Sequence, residues 1–291
     1  MNVIVDCSVN YRGHPNLGLY DYLQIPRRDP KPWQLGDLIA ELDANGIAMA
    51  GLIASVVADG VGGEIDPIGA EEIHPMLAAA PDRLFGWVGI NPLTTMETVR
   101  YIDYAVRELG FKAVHVYPHW FGVPINDRLY YPIYAKCAEL GVPIGLQVGT
   151  QSPRSGAKFS AHPLLLDDVA FDFPELKILG LHLGHPFLTE MLMLCKNHEN
   201  VYVVADAHPP AHWGSEVLDY ILQKYWSNKD GARKVIWGTD YPVQGFAESL
   251  RQLRDLELPA ETLDLVAGGN ARRVFGLDEV PAPTDQEETH A

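Results

Sequence analysis

Short β-branched runs ending in Gly, Asp, His or Pro alternate with longer amphipathic stretches along the whole chain. This alternation restricts the fold more than any other feature. The runs predict strands at 3–6, 48–55, 84–90, 113–117, 144–148, 178–182, 201–205 and 235–238. Helical spacing fills the intervals at 67–80, 96–109, 128–140, 163–172, 186–198 and 215–227, with Thr94 and Thr95 as start signals and Gly141 as a stop. Eight strand–helix units match the order and the about 250-residue size of an α/β (β/α)8 TIM barrel. A doubly wound sheet usually brings a Gly-rich phosphate loop after its first strand, and none follows residues 3–6. Residues 1–278 are therefore expected to form one barrel domain, with 271–277 as a final helix closing its bottom. The acid- and Pro-containing stretch 279–291 lacks apolar periodicity and reads as a disordered tail.

Composition removes several functional classes. The 291 residues carry 38 acidic against 22 basic side chains, a formal charge of -16, and no basic block that could track phosphates, so no nucleic-acid partner is expected. Three widely separated cysteines, Cys7, Cys137 and Cys195, form neither a disulfide framework nor a paired-cysteine zinc motif. No stretch reaches the ~20 apolar residues of a membrane span and no basic leader opens the chain, so the sequence predicts a cytoplasmic protein without a membrane partner. An exterior with many aromatic and aliphatic residues leaves homo-oligomerisation open.

In such barrels the reactive groups come from the C-terminal strand ends and the loops that follow. Arg83, Lys177 and Arg233 precede strands and are assigned to the opposite, stabilising face. Arg12, His14, His119, Arg154, Lys158, His185, His208 and His212 all follow strands, a local cationic excess that suits a small anionic substrate. Alternation along the strands places Asp6, Ser8 and Asn10 on one face of the first strand, Ile178, Gly180 and His182 on one face of the sixth, and Ile236, Gly238 and Asp240 on one face of the eighth. Asp240 and His182 stand out, because a strand-end carboxylate inside a barrel is costly without a partner. On the fourth strand His115 is equally a core residue or a pocket wall; Tyr117 is the better wall candidate, and Asp206 and His208 are weaker ones because their register is not fixed.

Three stretches carry a family resemblance: Leu-Gly-Leu-His-Leu-Gly at 179–184, Val-Ile-Trp-Gly-Thr-Asp-Tyr-Pro at 235–242, and Gly-Asn-Ala-Arg-Arg-Val-Phe-Gly-Leu at 269–277. They resemble the sixth strand, eighth strand and closing helix of the amidohydrolase superfamily. The branch is the one with aminocarboxymuconate semialdehyde decarboxylase-like and dicarboxylate lactonase-like enzymes. The resemblance implies two metal-binding histidines after Asp6 and a third at the end of strand five. Here Ser8, Asn10 and Gln147 replace them, leaving Asp240 of the metal set and His182, which in this branch often serves as an acid–base residue. One carboxylate with neutral oxygens holds zinc, magnesium or calcium poorly, so no tightly bound metal or other cofactor is expected.

The leading expectation is a metal-independent hydrolase of a small carboxylated, cyclic ester or lactone. Asp240 would activate water and His182 act as acid or electrophile, with Asn10, Gln147 and Tyr117 donating to an oxyanion. Ser8 and His119 complete the substrate-binding set, and Arg12 and Arg154 would hold the substrate carboxylate. The alternatives are a non-oxidative decarboxylase of an aromatic or muconate-type acid, and an inactive barrel that binds a ligand or partner.

Overall fold

The computed structural model describes residues 3–10, 34–56, 68–149, 158–224 and 231–277. Eight parallel strands run in sequence order: β1 (Ile4–Val9), β2 (Ile47–Ile53), β3 (Leu84–Gly89), β4 (Ala113–Val116), β5 (Ile144–Gln147), β6 (Ile178–Leu181), β7 (Val201–Ala205) and β8 (Val235–Trp237). Their near-continuous apolar sequences follow from burial on both faces; every residue of Ile47–Ile53 is buried. Among the described residues the ring closes where the end of β1 meets the chain just past β8, through one parallel bridge, Val9 with Tyr241, and a hydrogen bond from the Asn10 backbone N–H to the Tyr241 carbonyl at 2.8 Å.

All eight expected strands are present, with ends shifted by no more than a few residues. The largest shift is β1, which runs on through Cys7 and Ser8, because those polar positions are satisfied inside the barrel rather than ending the strand. Of the expected helices, the structure has Ala70–Ala79, Thr95–Arg107, Tyr131–Leu140, Leu166–Asp172, Leu188–Asn197 and Gly214–Ile221. Thr95–Arg107 turns Thr98, Ile102 and Ala105 inward, and Gly141 ends Tyr131–Leu140 in the left-handed conformation at φ 70°. Two longer helices had no sequence prediction, Leu35–Ala44 and Phe246–Asp255; the second buries Phe246, Ser249, Leu250 and Leu253, a helical stripe with a polar member.

Side chains split into two apolar layers. The outer layer fills the space between strands and helices, and the inner layer fills the barrel with Val5, Cys7, Phe85, Trp87, Leu179 and Ile236 among others. The final helix Asn270–Phe275 plugs the bottom: the Phe275 ring lies 5.0 Å from Phe85 and 4.9 Å from Trp87, and Asn270 Nδ2 donates to the Ala232 and Val235 carbonyls. With the lower end filled, the polar side chains collect at the other end. Among the described residues no helix is long and apolar enough to cross a membrane.

Candidate active site

The ends of β1, β5, β6, β7 and β8 bring together six polar side chains. His182 follows β6, and its Nδ1 lies 2.9 Å from Asp206 Oδ1, just past β7; the His182 backbone N–H donates to the same oxygen at 2.7 Å. Ser8 Oγ donates to the other Asp206 oxygen at 2.8 Å. On the opposite side of the imidazole, Gln147 Nε2 stands 2.5 Å from His182 Nε2. Asp240 accepts a hydrogen bond from Asn10 Nδ2 at 2.6 Å, across the seam between β1 and β8. Deeper in the same seam, Asp6 accepts from Thr239 Oγ1 at 2.6 Å, Thr239 N at 3.0 Å and Ser8 N at 3.2 Å.

These contacts fix the protonation pattern. A carboxylate only accepts, so His182 carries a proton on Nδ1 toward Asp206; where Nε2 is protonated as well, the Gln147 amide must present Oε1 to it, since two N–H groups cannot bond each other. Burial alone would lower the His182 pKa, yet the Asp206 charge and hydrogen bond, with the Asp240 charge added, raise it to about 9. Burial also works to raise Asp206, but the His182 charge and the hydrogen bonds from His182 and Ser8 outweigh it and hold this carboxyl below its ordinary range. Asp240 has no such contact with the imidazole. Its burial, reinforced by Asp206 and Asp6, raises it to about 7 against the lowering pull of His182 and Asn10. Burial likewise raises Asp6 to about 7 despite its three hydrogen bonds. Between those two values an ionised Asp240 and a protonated His182 are compatible with each other at the same mouth.

The fourth strand supplies an aromatic wall. Tyr117 stacks on Trp120 at 3.8 Å and meets His115 edge-on at 4.4 Å, with His119 6.1 Å away. Burial lowers both His115 and His119 to about 3, and the His182 charge adds to this, so both rings stay neutral. His115 Nδ1 is buried without a hydrogen-bond partner among the described residues.

Five of the sequence candidates thus enter two hydrogen-bonded groups at the mouth: Ser8, Gln147 and His182 around Asp206, and Asn10 with Asp240. Tyr117 and His119 stand on the neighbouring wall, and Arg12 and Arg154 lie outside the described residues. Two sequence expectations need correction. On β6 it is Leu179 and Leu181 that face the barrel interior, while Ile178 belongs to the outer layer and a Cβ on Gly180 would strike Met191 of the helix Leu188–Asn197. Gly180 thus makes room for that helix. His182 reaches the mouth because it leaves the strand with φ 59°, a left-handed turn that cancels the alternation. The second correction is Asp206, a weak candidate in sequence terms and the hub of the network here. Its signal was its position directly after the last apolar residue of β7, the same position that marks a reactive group on the other strands.

Gly149, just past β5, has φ 96°, and a Cβ there would collide with the His185 carbonyl oxygen. Gly149→Ala is expected to lose about 2–4 kcal/mol, from left-handed strain plus overpacking, as read by urea unfolding. An unchanged midpoint would show that the β5 and β6 loops are not packed this closely.

The metal implied by the family resemblance does not fit these side chains. Ser8, Asn10 and Gln147 stand where the resemblance expects ligand histidines, and their polar groups are committed to Asp206, Asp240 and His182. Among the described residues no group of three or more His, Cys, Asp or Glu side chains could hold a metal ion.

A cluster of buried titratable side chains thus sits at the C-terminal mouth of a (β/α)8 barrel. The family model of the amidohydrolases matches residues 70–277, and the chain belongs to the amidohydrolase family. It is 27% identical over 216 residues to 2-keto-4-carboxy-3-hexenedioate hydratase of Sphingobium sp., a match covering 61% of this chain and 60% of that protein's length, less than two thirds of it. Its fold is similar to that of an uncharacterized TIM-barrel protein of Bordetella bronchiseptica (TM-score 0.78, 20% identity, 94% of this chain and 98% of that one). It is similar also to 5-carboxyvanillate decarboxylase of Sphingomonas paucimobilis (TM-score 0.66, 18% identity, 95% and 99%). A third solved fold of this kind is 2,6-dihydroxybenzoate decarboxylase of Rhizobium (TM-score 0.67, 17% identity, 96% and 100%).

Proposed function

We propose that residues 1–278 form one catalytic domain that hydrolyses a small carboxylated ester, most simply a lactone, without a metal ion. One observation carries this reading: Asp240, held by Asn10, and His182, held by Asp206, are buried at one mouth with pKa values raised to about 7 and about 9, so base and acid coexist between those values. Asp240 takes a proton from water as the water oxygen bonds to the carbonyl carbon. The ring C–O bond then breaks, and the departing oxygen takes the proton on His182 Nε2, giving a hydroxy acid. Asn10 and Gln147 amides supply hydrogen bonds to the carbonyl oxygen as it becomes negative. Solvent returns the proton from Asp240 to His182.

On this reading kcat/KM for carboxylated five- and six-membered lactones is expected to be bell-shaped, rising through about pH 7 as Asp240 ionises and falling through about pH 9 as His182 loses its proton. A rate indifferent to pH over that range overturns the assignment. Protein purified without added metal is expected to hold well under one equivalent of zinc, manganese or iron and to keep its activity in chelator. Stoichiometric metal that is lost in Asp240→Ala would overturn the metal-free mechanism.

Non-oxidative decarboxylation is the second reading, favoured by the same raised Asp240. A carboxyl group that keeps its proton to about pH 7 can hand it to a substrate carbon as the bond to CO2 breaks. The hydratase relative and the two decarboxylases of similar fold act on carboxylated molecules by their names. In this case the rate falls from about pH 7 upward with no rising limb, and CO2 is released, which separates it from hydrolysis.

A further inference from the structure

The acid–base steps leave one buried carboxyl without a task. Asp6 lies on β1, sealed from solvent and deeper in the seam than Asp240, and its hydrogen bonds run to the backbone that carries the reactive side chains. Oδ1 accepts from the Thr239 N–H at 3.0 Å and the Ser8 N–H at 3.2 Å, and Oδ2 accepts from Thr239 Oγ1 at 2.6 Å. Thr239 Oγ1 in turn accepts from the Tyr241 N–H at 3.1 Å. One carboxyl therefore holds the residues on both sides of Asp240, directly at 239 and through a hydroxyl at 241. Asp240 between them takes φ 51°, a left-handed conformation uncommon outside glycine that persists where its neighbours are held. The other arm leads to the acid: Ser8, bonded to Asp6 by its N–H, donates its hydroxyl to Asp206 at 2.8 Å, and Asp206 holds His182. The two hydrogen-bonded groups of the mouth are thus each one residue removed from Asp6.

We propose that Asp6 is a positioning residue that sets the Asp240 carboxyl against the His182 imidazole, by tying the Asp240 turn and Ser8 to one point on β1. The proposal rests on the reading of Asp240 and His182 as the reacting groups, and it holds for hydrolysis and decarboxylation alike. Asp6 acts by geometry, and either protonation state serves. Ionised, it accepts all three bonds; protonated on Oδ2, it donates to Thr239 Oγ1 and still accepts from both N–H groups at Oδ1.

The test compares full-length Thr239→Val, Thr239→Ser, Asp6→Ala and Asp6→Asn with wild type, by crystal structure and by steady-state kinetics on carboxylated five- and six-membered lactones. Thr239→Val keeps the volume and loses the hydroxyl that joins Asp6 to the Tyr241 N–H. It is expected to let Asp240 leave its left-handed turn and open the Asn10 contact, and to lower kcat by about 10²-fold with KM unchanged, the cost of a misplaced reactive group. Asp6→Ala changes both readouts in the same direction, and the Thr239 pair carries the test even where that variant does not fold. The conservative variants rescue: Thr239→Ser returns the hydroxyl, and Asp6→Asn keeps Oδ1 for the two N–H groups and turns Nδ2 to Thr239 Oγ1. A folded Thr239→Val with Asp240 in its wild-type place, or a rate loss that Thr239→Ser does not repair, overturns the positioning role. Where wild type turns over no lactone, the hydrolase reading fails, and the crystal structures alone decide: Asp240 displaced in Thr239→Val and restored in Thr239→Ser supports the proposal.

Discussion

Asp240→Asn is expected to lower turnover by about 10³-fold while leaving the barrel folded. The amide cannot accept a proton from water, and its oxygen can still receive the Asn10 hydrogen bond that the carboxylate receives at 2.6 Å. Stability provides an independent check with the opposite sign. Because burial raises Asp240 from 3.8 to about 7, the native state pays for ionising this group, and stability is lost as pH rises from about 4 through 7. The neutral variant escapes that loss, so at pH 8 it should unfold at higher urea concentration than wild type. Less activity with more stability is the mark of a strained functional group. A variant with wild-type kcat/KM would remove Asp240 from the mechanism, and one that is inactive and destabilised would make it structural.

The second large effect is expected at Asp206. Replacing it by Ala strips the acceptor from Ser8 Oγ, from His182 Nδ1 and from the His182 backbone N–H at once. Removing one partner of a buried ion pair costs about 3–5 kcal/mol, measurable by urea unfolding at pH 7. The companion change is in the imidazole. Burial, the largest influence on His182, is now opposed only by Asp240, so its pKa falls from about 9 toward or below the ordinary 6.5. Titration of the His182 ring by NMR reads that shift directly, and the high-pH limb of the rate profile moves with it. A purely structural Asp206 would weaken the fold and leave that limb in place. In wild type, the raised His182 makes its contribution to stability complete below about pH 6.5 and loses it as pH climbs to about 9.

Much of this molecule was legible in its sequence because barrels repeat. Each strand of a (β/α)8 fold is buried on both faces and ends at a turn residue, so β2, β3 and β7 announce themselves through Ile, Val, Ala and Leu runs. The reading faltered where polar residues sit inside elements. β1 looked finished at Asp6 because nothing local shows that Ser8 will find Asp206, 198 residues away in sequence. The helix Phe246–Asp255 was passed over although its inward residues fall at helical spacing, since Ser249 interrupts the apolar stripe to hold Trp237 Nε1. At the site, Asp240 and His182 were visible as strand-end groups. The face taken by His182 was not, because alternation assumes extended backbone and the turn from His182 through Gly184 is left-handed at every residue. Asp206 was undervalued for a related reason: its importance lies entirely in partners contributed by two other strands.

The closing seam of the barrel has a mechanical consequence. Strands elsewhere in the ring are held by ladders of backbone hydrogen bonds, whereas β1 and β8 meet at one bridge and are held mainly by Asp6 on Thr239 and Asn10 on Asp240. The latch on that seam is therefore made of titrating groups, one of them the carboxyl proposed as the base. The Asn10 hydrogen bond favours the ionised form of Asp240, so the bond across the seam is expected to be stronger when Asp240 has lost its proton. A group proposed for the chemistry at the mouth and the closure of the cylinder thus share, at this one edge, a single hydrogen bond.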